Sequence, residues 1–405
     1  MKLLPFQIIT ILLLGLISVS CSVDNIPTEP ADLKFTPTIT ETFRVKIWGQ
    51  ASDTPTPRPT IESLPPSATP TPKTDPIIPS DTPTPSNTPK PSVTRILFTG
   101  AIVPGRCVQA AIDERGSADY IYEDVQDLIS GADIAVGTLN AALSDFPPHT
   151  GCIQTFVLVG STNNADAMAS AGFDVMSVAT NHIKNCGVTT CGDRAFLDTM
   201  DNLERVGIQP VGAGNDIYEA MQPVIVEKNG IRFGFVSLGE IESMAFASDD
   251  SPGIAPLPQD FDDAEANLRS AINAAKENAD VVVAMPHWGS DYRNTPNYRQ
   301  LFFDRVAVES GADLVIGNHP HVIQGMREIE GIPVFYSLGS FVFDQDWSLE
   351  TQQGIVVVVT FEGTEYRSFE VLPVHIDGDG HVQVAEPPEY EQILGRFQDL
   401  SEDLK

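Results

Sequence analysis

Residues 94–405 predict an α/β domain with a largely parallel sheet, on three observations. Short apolar runs at 94–99, 133–136 and 174–178 each end in a polar or glycine-rich loop. Segments of helical period alternate with them, as at 195–206, where Phe196, Met200 and Leu203 share a face. Polar side chains suited to chemistry collect just after the apolar runs, where ligands meet open α/β sheets.

The elements follow in order. Run 94–99 leads into a glycine turn from Gly100 to Gly105, and the 195–206 helix leads into Val211-Gly-Ala-Gly214. The pattern then changes. Runs 223–226 and 231–236 flank Lys228-Asn229-Gly230 and predict a hairpin, because Asn-Gly adopts positive φ at little cost. A helix at 262–278, a strand at 280–285, a helix at 297–310 and a strand at 313–316 come next. Three β-rich stretches, 333–337, 354–360 and 366–374, close the domain. The expected architecture is two α/β halves joined through the hairpin.

The N-terminal side has another character. Met1-Lys2 is followed by an apolar run from Leu3 to Val19, interrupted at Gln7, Thr10, Gly15 and Ser18, which is a signal-peptide pattern. It ends in Leu16-Ile17-Ser18-Val19-Ser20-Cys21, similar to a bacterial lipobox although Ser20 stands where Gly or Ala is commoner. Lipidation of Cys21 is the expectation, with ordinary cleavage or an uncleaved anchor as alternatives. No second stretch approaches the ~20 apolar residues of a spanning helix, so the rest is expected at the extracytoplasmic face of the cell membrane. From Thr54 to Pro91 there are 13 prolines and 9 threonines in 38 residues. Such a segment has too little apolar surface to form a core, and at ~3.1 Å per residue it reaches on the order of 100 Å as a stalk. The expected organisation is a signal peptide at 1–21, a stalk at 22–93, a domain at 94–376 and a C-terminal extension at 377–405.

Residues 94–405 carry 17 basic and 47 acidic side chains, a balance of −30. Nucleic-acid binding needs a basic footprint, so that partner class is excluded. A polyanion is repelled at long range and needs a local basic groove or a bridging cation. Four cysteines follow Cys21: Cys107, Cys152, Cys186 and Cys191. Outside the cytoplasm an even number favours disulfides, and four allow three pairings. Cys186 with Cys191 and Cys107 with Cys152 is the preferred set. A thiolate metal site is the rival, though the spacing is not that of a zinc ribbon.

Asn181 and His182 follow one apolar run, His287 another, and His319 with His321 a third. Neutral nitrogen and amide ligands converging at strand ends suit Zn, Mn or Fe, since they leave the metal acidic enough to activate water. Hydrogen-bonded loop histidines are the equal alternative from spacing alone.

These residues lie within longer blocks: Phe173-Asp-Val-Met-Ser-Val-Ala-Thr-Asn181-His182, His287-Trp288-Gly289-Ser-Asp291-Tyr292, Gly311-Ala-Asp-Leu-Val-Ile-Gly317-Asn-His319-Pro320-His321, and Phe335-Tyr-Ser-Leu-Gly339-Ser-Phe-Val-Phe343. With Gly212-Ala-Gly214 and Glu219-Ala220, they resemble the signature blocks of the CapA-like capsule-synthesis (poly-γ-glutamate) family, in order, over about residues 94–376. The resemblance implies a calcineurin-like metallophosphatase sandwich, mixed β-sheets flanked by helices with a metal site at one edge. It also implies a role with an envelope polymer or its synthesis machinery. The departures remove carboxylates. Gly100-Ala101 stands where the family has Gly-Asp, Asn140-Ala141-Ala142 where it has an acid pair, Asn185 where an aspartate follows Asn-His, and Ser340 where Asn is usual.

Without those oxygens a two-metal centre is not expected, whereas one zinc held by His182, His287, His319 and His321 remains open. His182 and Asp291 are the candidate catalytic groups, with Asp291 and Asp344 as supporting or general-base carboxylates. Arg106, Asn140 and Arg293 are the candidate ligand-binding residues, although either arginine serves equally as an ion-pair partner. Trp288 is expected to pack beside the site. Two functions follow: a metal-dependent hydrolase of a phosphoester or γ-linked amide, or a relative with weakened or lost chemistry that handles the polymer.

Overall fold

The computed structural model describes residues 92–146, 149–186 and 191–405. The expected signal peptide, Cys21 and all but the last two residues of the expected stalk lie outside the described residues. Among the described residues, no helix is long and apolar enough to cross a membrane.

Two mixed sheets carry the fold. The first has its strands in the order Val382–Val384, Glu365–Ile376, Gln353–Glu362, Val93–Ile102, Ile134–Leu139, Val175–Ser177 and Gln209–Val211, with Ser340–Val342 beside the end of Val93–Ile102. The last four in that order run parallel, and the three before them antiparallel. The second has the order Met326–Ile329, Ile332–Phe335, Leu314–Ile316, Val281–His287, Ile231–Gly239 and Val224–Lys228. Its four inner strands are parallel.

Strict alternation within apolar strands sets the layers. Ile96, Phe98, Ile355, Val357 and Val359 of the first sheet share one core with Phe233, Phe235, Val281, Val283 and Met285 of the second. Their neighbours face outward onto helices: Leu97, Val356 and Val358 pack with Val108, Phe196 and Leu203, while Val282, Ala284 and Val236 pack with Leu268, Ile272 and Phe303. Runs buried on both faces read as continuously apolar, and helices must cover both outer faces. Local signals start those helices. Asp260 accepts hydrogen bonds from the backbone of Asp262 and Asp263 ahead of Phe261–Lys276, and Asn297 forms a capping box with Gln300 ahead of Tyr298–Ser310.

Two expectations of organisation change. The chain does not stay in its second half after the hairpin. It returns at Ser340, and Gln353–Glu362 and Glu365–Ile376 complete the first sheet, because Ile355–Val359 needs burial on both faces. Residues 377–405, expected as an extension, supply Val382–Val384 and the helix Glu389–Glu402, whose Ile393, Leu394 and Phe397 enter the core between the sheets. Phe397 stacks on Phe335 at 6.3 Å between ring centroids and is 3% exposed. Phe397→Ala is therefore expected to cost about 3–5 kcal/mol, read as a lowered denaturant midpoint; a shift near zero would make this helix a true appendage.

Candidate functional site

The carboxyl ends of the parallel strands from both sheets meet at one edge. Ile134–Leu139 delivers Asn140, Val175–Ser177 leads to Asn181 and His182, Val281–His287 ends in His287, and Leu314–Ile316 leads to Asn318, His319 and His321. His287, His319 and His321 are almost wholly buried, and their rings adjoin, at 5.0 Å between His287 and His319 and 6.1 Å between His319 and His321. The backbone is strained here. Arg106 (φ 50°), Tyr292 (φ 58°), His319 (φ 119°) and His321 (φ 58°) adopt the left-handed region without being glycine. Each such residue costs on the order of 1–3 kcal/mol and persists only where the surroundings impose it.

Individual contacts orient the rings. His287 Nε2–H donates to Asn181 Oδ1 at 2.9 Å, and the Asn185 amide donates to His182 Nδ1 at 2.7 Å. Asn140 Oδ1 accepts the His182 backbone N–H at 3.0 Å. Asp291 Oδ1 lies 3.3 Å from His319 Nε2, with more than half of the Asp291 side chain in solvent. Asp291, His319 and His321 place one ligand atom each within 4.8 Å of one another. His182 and His287, expected as ligands with them, stand outside this set of mutually close ligand atoms, and one ring nitrogen of each is held by an asparagine.

Burial is the main reason that all four imidazoles stay neutral. It lowers the pKa of His182 to about 4, helped by repulsion from His319 and Arg106, and that of His319 to about 4. His287 and His321 are pushed well below the usual value, again first by burial and then by the neighbouring histidines. Nδ1 of His287, His319 and His321, Nδ2 of Asn140 and Oγ of Ser340 are buried with no hydrogen-bond partner. Interiors seldom leave polar atoms bare, and five around one cluster mark a place for a ligand. Two neutral imidazoles and one carboxylate fit a single divalent ion. They do not fit a bridged pair, since this set, found among the described residues, holds the single carboxylate Asp291.

Arg106 is not free to bind an anion. Its Nε donates to Asp344 at 3.1 Å, its Nη2 to the other oxygen of Asp344, and its Nη1 to Thr155 O at 3.3 Å. Asp344, considered above as a general base, is 4% exposed and also accepts the Cys107 N–H, so it serves as the buried counter-charge of Arg106. Arg293 is exposed on the loop after Asp291. Trp288 is fully buried and donates Nε1–H to Tyr336 O at 3.0 Å, a packing role. Cys107 is joined to Cys152 and Cys186 to Cys191, both beside the cluster-bearing loops.

Sequence reasoning missed several supports. Asn318, given no role within the Gly311–His321 block, donates its Nδ2 to Thr138 Oγ1 at 2.9 Å and Thr99 O at 3.3 Å, tying the histidine loop to the first sheet. Glu240 accepts the Gly289 N–H at 3.2 Å and pairs with Arg299 at 2.7 Å, which fixes the turn after His287. Its position after the strand Ile231–Gly239 was a usable signal. Phe156, stacked parallel to His182 at 6.1 Å, lies in an irregular loop that offered none.

A family model described as "Bacterial capsule synthesis protein PGA_cap" matches residues 95–345. The PGA biosynthesis protein CapA of Bacillus subtilis (strain 168) is 29% identical over 281 residues, covering 69% of this chain and 70% of that protein. The capsule biosynthesis protein CapA of Bacillus anthracis is 29% identical over 284 residues, covering 69% of this chain and 66% of that protein. Among solved structures, a hypothetical protein from Thermus thermophilus is similar over 69% of this chain and 98% of its own, with 14% identity and a TM-score of 0.41.

The neutral histidines set a direction for acid stability. Their folded pKa values lie below the ~6.5 of an unfolded chain, so between pH 6.5 and about 4 the unfolded state binds more protons and stability rises with pH. The contribution is complete above pH 6.5 and is lost as pH falls towards 4. Thermal melts are expected to fall little from pH 7 to 6 and more steeply from pH 6 to 5, approaching about 1.4 kcal/mol per pH unit for each histidine that stays neutral. His287→Gln is expected to flatten that slope; an unchanged slope would mean that water reaches the ring.

Proposed function

Because the chain belongs to the family described as bacterial capsule synthesis protein PGA_cap, we propose that it serves the synthesis of a capsule or poly-γ-glutamate-type envelope polymer, with weakened or lost hydrolase chemistry. The carrying observation is the donor set. One partly exposed carboxylate, Asp291, accompanies three buried imidazoles and the half-buried His182, all kept neutral, and the resemblance puts the missing family acids at Ala101 and within Asn140-Ala141-Ala142. We place the domain outside the cell, held at the membrane by a lipid on Cys21 and handling the polymer or its synthesis machinery. That part rests on the N-terminal sequence alone.

A second reading, an active hydrolase of a phosphoester or γ-glutamyl amide, is favoured by the compactness of Asp291, His319 and His321. A divalent Zn, Mn or Fe ion held by those three residues would supply Lewis acidity to such a reaction. The protein's own share is clear. Asn181 and Asn185 fix the His287 and His182 rings, burial keeps them uncharged, and Asp291 is placed to hold or accept a proton beside His319.

Metal content of the full chain by mass spectrometry separates the readings. After dialysis against Zn, Mn and Fe, no more than about one equivalent is expected, falling to none in the double variant His319→Ala/His321→Ala. Bound metal accompanied by turnover of bis(p-nitrophenyl) phosphate, both lost in the double variant, would replace weakened chemistry by an active enzyme. For the anchor, radiolabelled palmitate is expected to enter the wild-type chain and not Cys21→Ala, which should leave the membrane fraction; label in both would rule out Cys21 as the attachment point.

A further inference from the structure

Three large aromatic side chains stand exposed at the mouth of the histidine cluster: Phe156 at 79%, Trp347 at 59% and Tyr292 at 40%. They bracket the imidazoles. Phe156 lies parallel to His182, 4° between planes, on one side. On the other, Tyr292 is 6.3 Å from His321, and Trp347 packs edge-on against Tyr292 at 4.7 Å. Each aromatic leaves apolar area in water at a cost of roughly 25 cal/mol per Å², so a cluster of them around polar groups marks a binding surface.

These side chains sit on held segments. The loop bearing Phe156 is tied by the Cys107–Cys152 disulfide and by Arg106 Nη1 donating to Thr155 O. Tyr292 donates its backbone N–H to Pro320 O at 2.8 Å, and its hydroxyl accepts from Gln345 Nε2 at 2.8 Å. Gln345 O in turn accepts from Thr351 Oγ1 at 2.7 Å, which closes the turn carrying Trp347. Rigid aromatics lose little conformational entropy when a ligand stacks on them.

Charge selects the occupant. Arg106 is spent on Asp344 and Thr155, while Arg293 is exposed two residues after the exposed Asp291, and Asp346, the neighbour of Trp347 in the chain, is exposed as well. The surrounding domain carries a balance of −30. A polyanion would meet like charge here, with one arginine to offset it. An uncharged sugar ring would not. Its C–H faces stack on aromatic rings, and its hydroxyls donate to carboxylates such as Asp291.

We propose that the mouth of the histidine cluster is a carbohydrate subsite, in which Phe156, Tyr292 and Trp347 stack on the rings of an uncharged glycan. This rests on the polymer-synthesis reading above and narrows the polymer that meets the mouth to one presenting uncharged sugar, not polyglutamate. The test is calorimetric titration of the full chain with N-acetylglucosamine tetramer, cellotetraose and a γ-linked glutamate hexamer at low salt. Tryptophan fluorescence runs in parallel, since Trp288 is fully buried and Trp347 exposed. At least one neutral tetramer is expected to bind saturably and to shift the emission, while the hexamer does not. Trp347→Ala and Phe156→Ala should each weaken binding at least tenfold with an unchanged melting temperature. Tyr298→Ala, an exposed aromatic packed on Phe261 away from the cluster, should leave it intact.

Binding of the hexamer as tight as either sugar, and weakened by Trp347→Ala, would overturn the subsite while supporting the polymer reading. Binding of neither sugar, or sugar binding indifferent to both substitutions, would overturn it as well. The metal measurement on the same preparation is independent of all these outcomes, so the subsite and the chemistry fail separately.

Discussion

Asn318 joins the two sheets where the site is built. Its backbone pairs with the end of Val281–His287, accepting from Trp288 N at 3.0 Å and donating to Pro286 O at 3.2 Å, while its side chain reaches Thr99 O and Thr138 Oγ1 in the other sheet. The residue is 2% exposed, so any slip of one sheet against the other would strand an amide with no water to replace its partners. Such a loss costs about 1–3 kcal/mol and applies to every register but one. His319 follows immediately, and the approach of His287 to His319 depends on the same joint.

Around that joint the structure accumulates costs that ordinary packing would avoid. Four non-glycine residues have left-handed backbone, three imidazole nitrogens lack partners, and a guanidinium is buried against Asp344. The cores on either side are well filled, with Phe233 on Phe361 at 5.7 Å and Phe335 on Phe369 at 5.2 Å, and they hold the strained edge in place. Strain of this kind collects where a protein keeps groups ready for a ligand rather than for each other. What the cluster lacks is negative charge, since among the described residues Asp291 is the carboxylate that joins its histidines in a ligand set, while Asp344 is committed to Arg106.

Much of this was legible beforehand, for local reasons. The apolar runs at 281–285 and 355–359 are continuous because both faces are buried, and the hairpin at Asn229-Gly230 announces itself through the φ its turn requires. Strand-end loops concentrate histidines, so the edge that carries the site could be named. The helix Glu389–Glu402 was overlooked because Ile393, Leu394 and Phe397 acquire meaning only against Phe335 and the groove between the sheets. Arg106 was offered as an anion binder because nothing local reveals Asp344, far along the chain, as its partner.

The sequence by itself determined the supply: which strand ends bear imidazoles, how few carboxylates accompany them, and where the family blocks lie. Tertiary structure alone decided the allocation. Asp291 came into one ligand set with His319 and His321, whereas His182 and His287 turned to asparagines. The physical reason is range. Helical and strand periods are set by neighbours within a few residues, but a ligand set, an ion pair or an aromatic mouth is set by distances of a few ångströms between segments that only the packing of two sheets brings together.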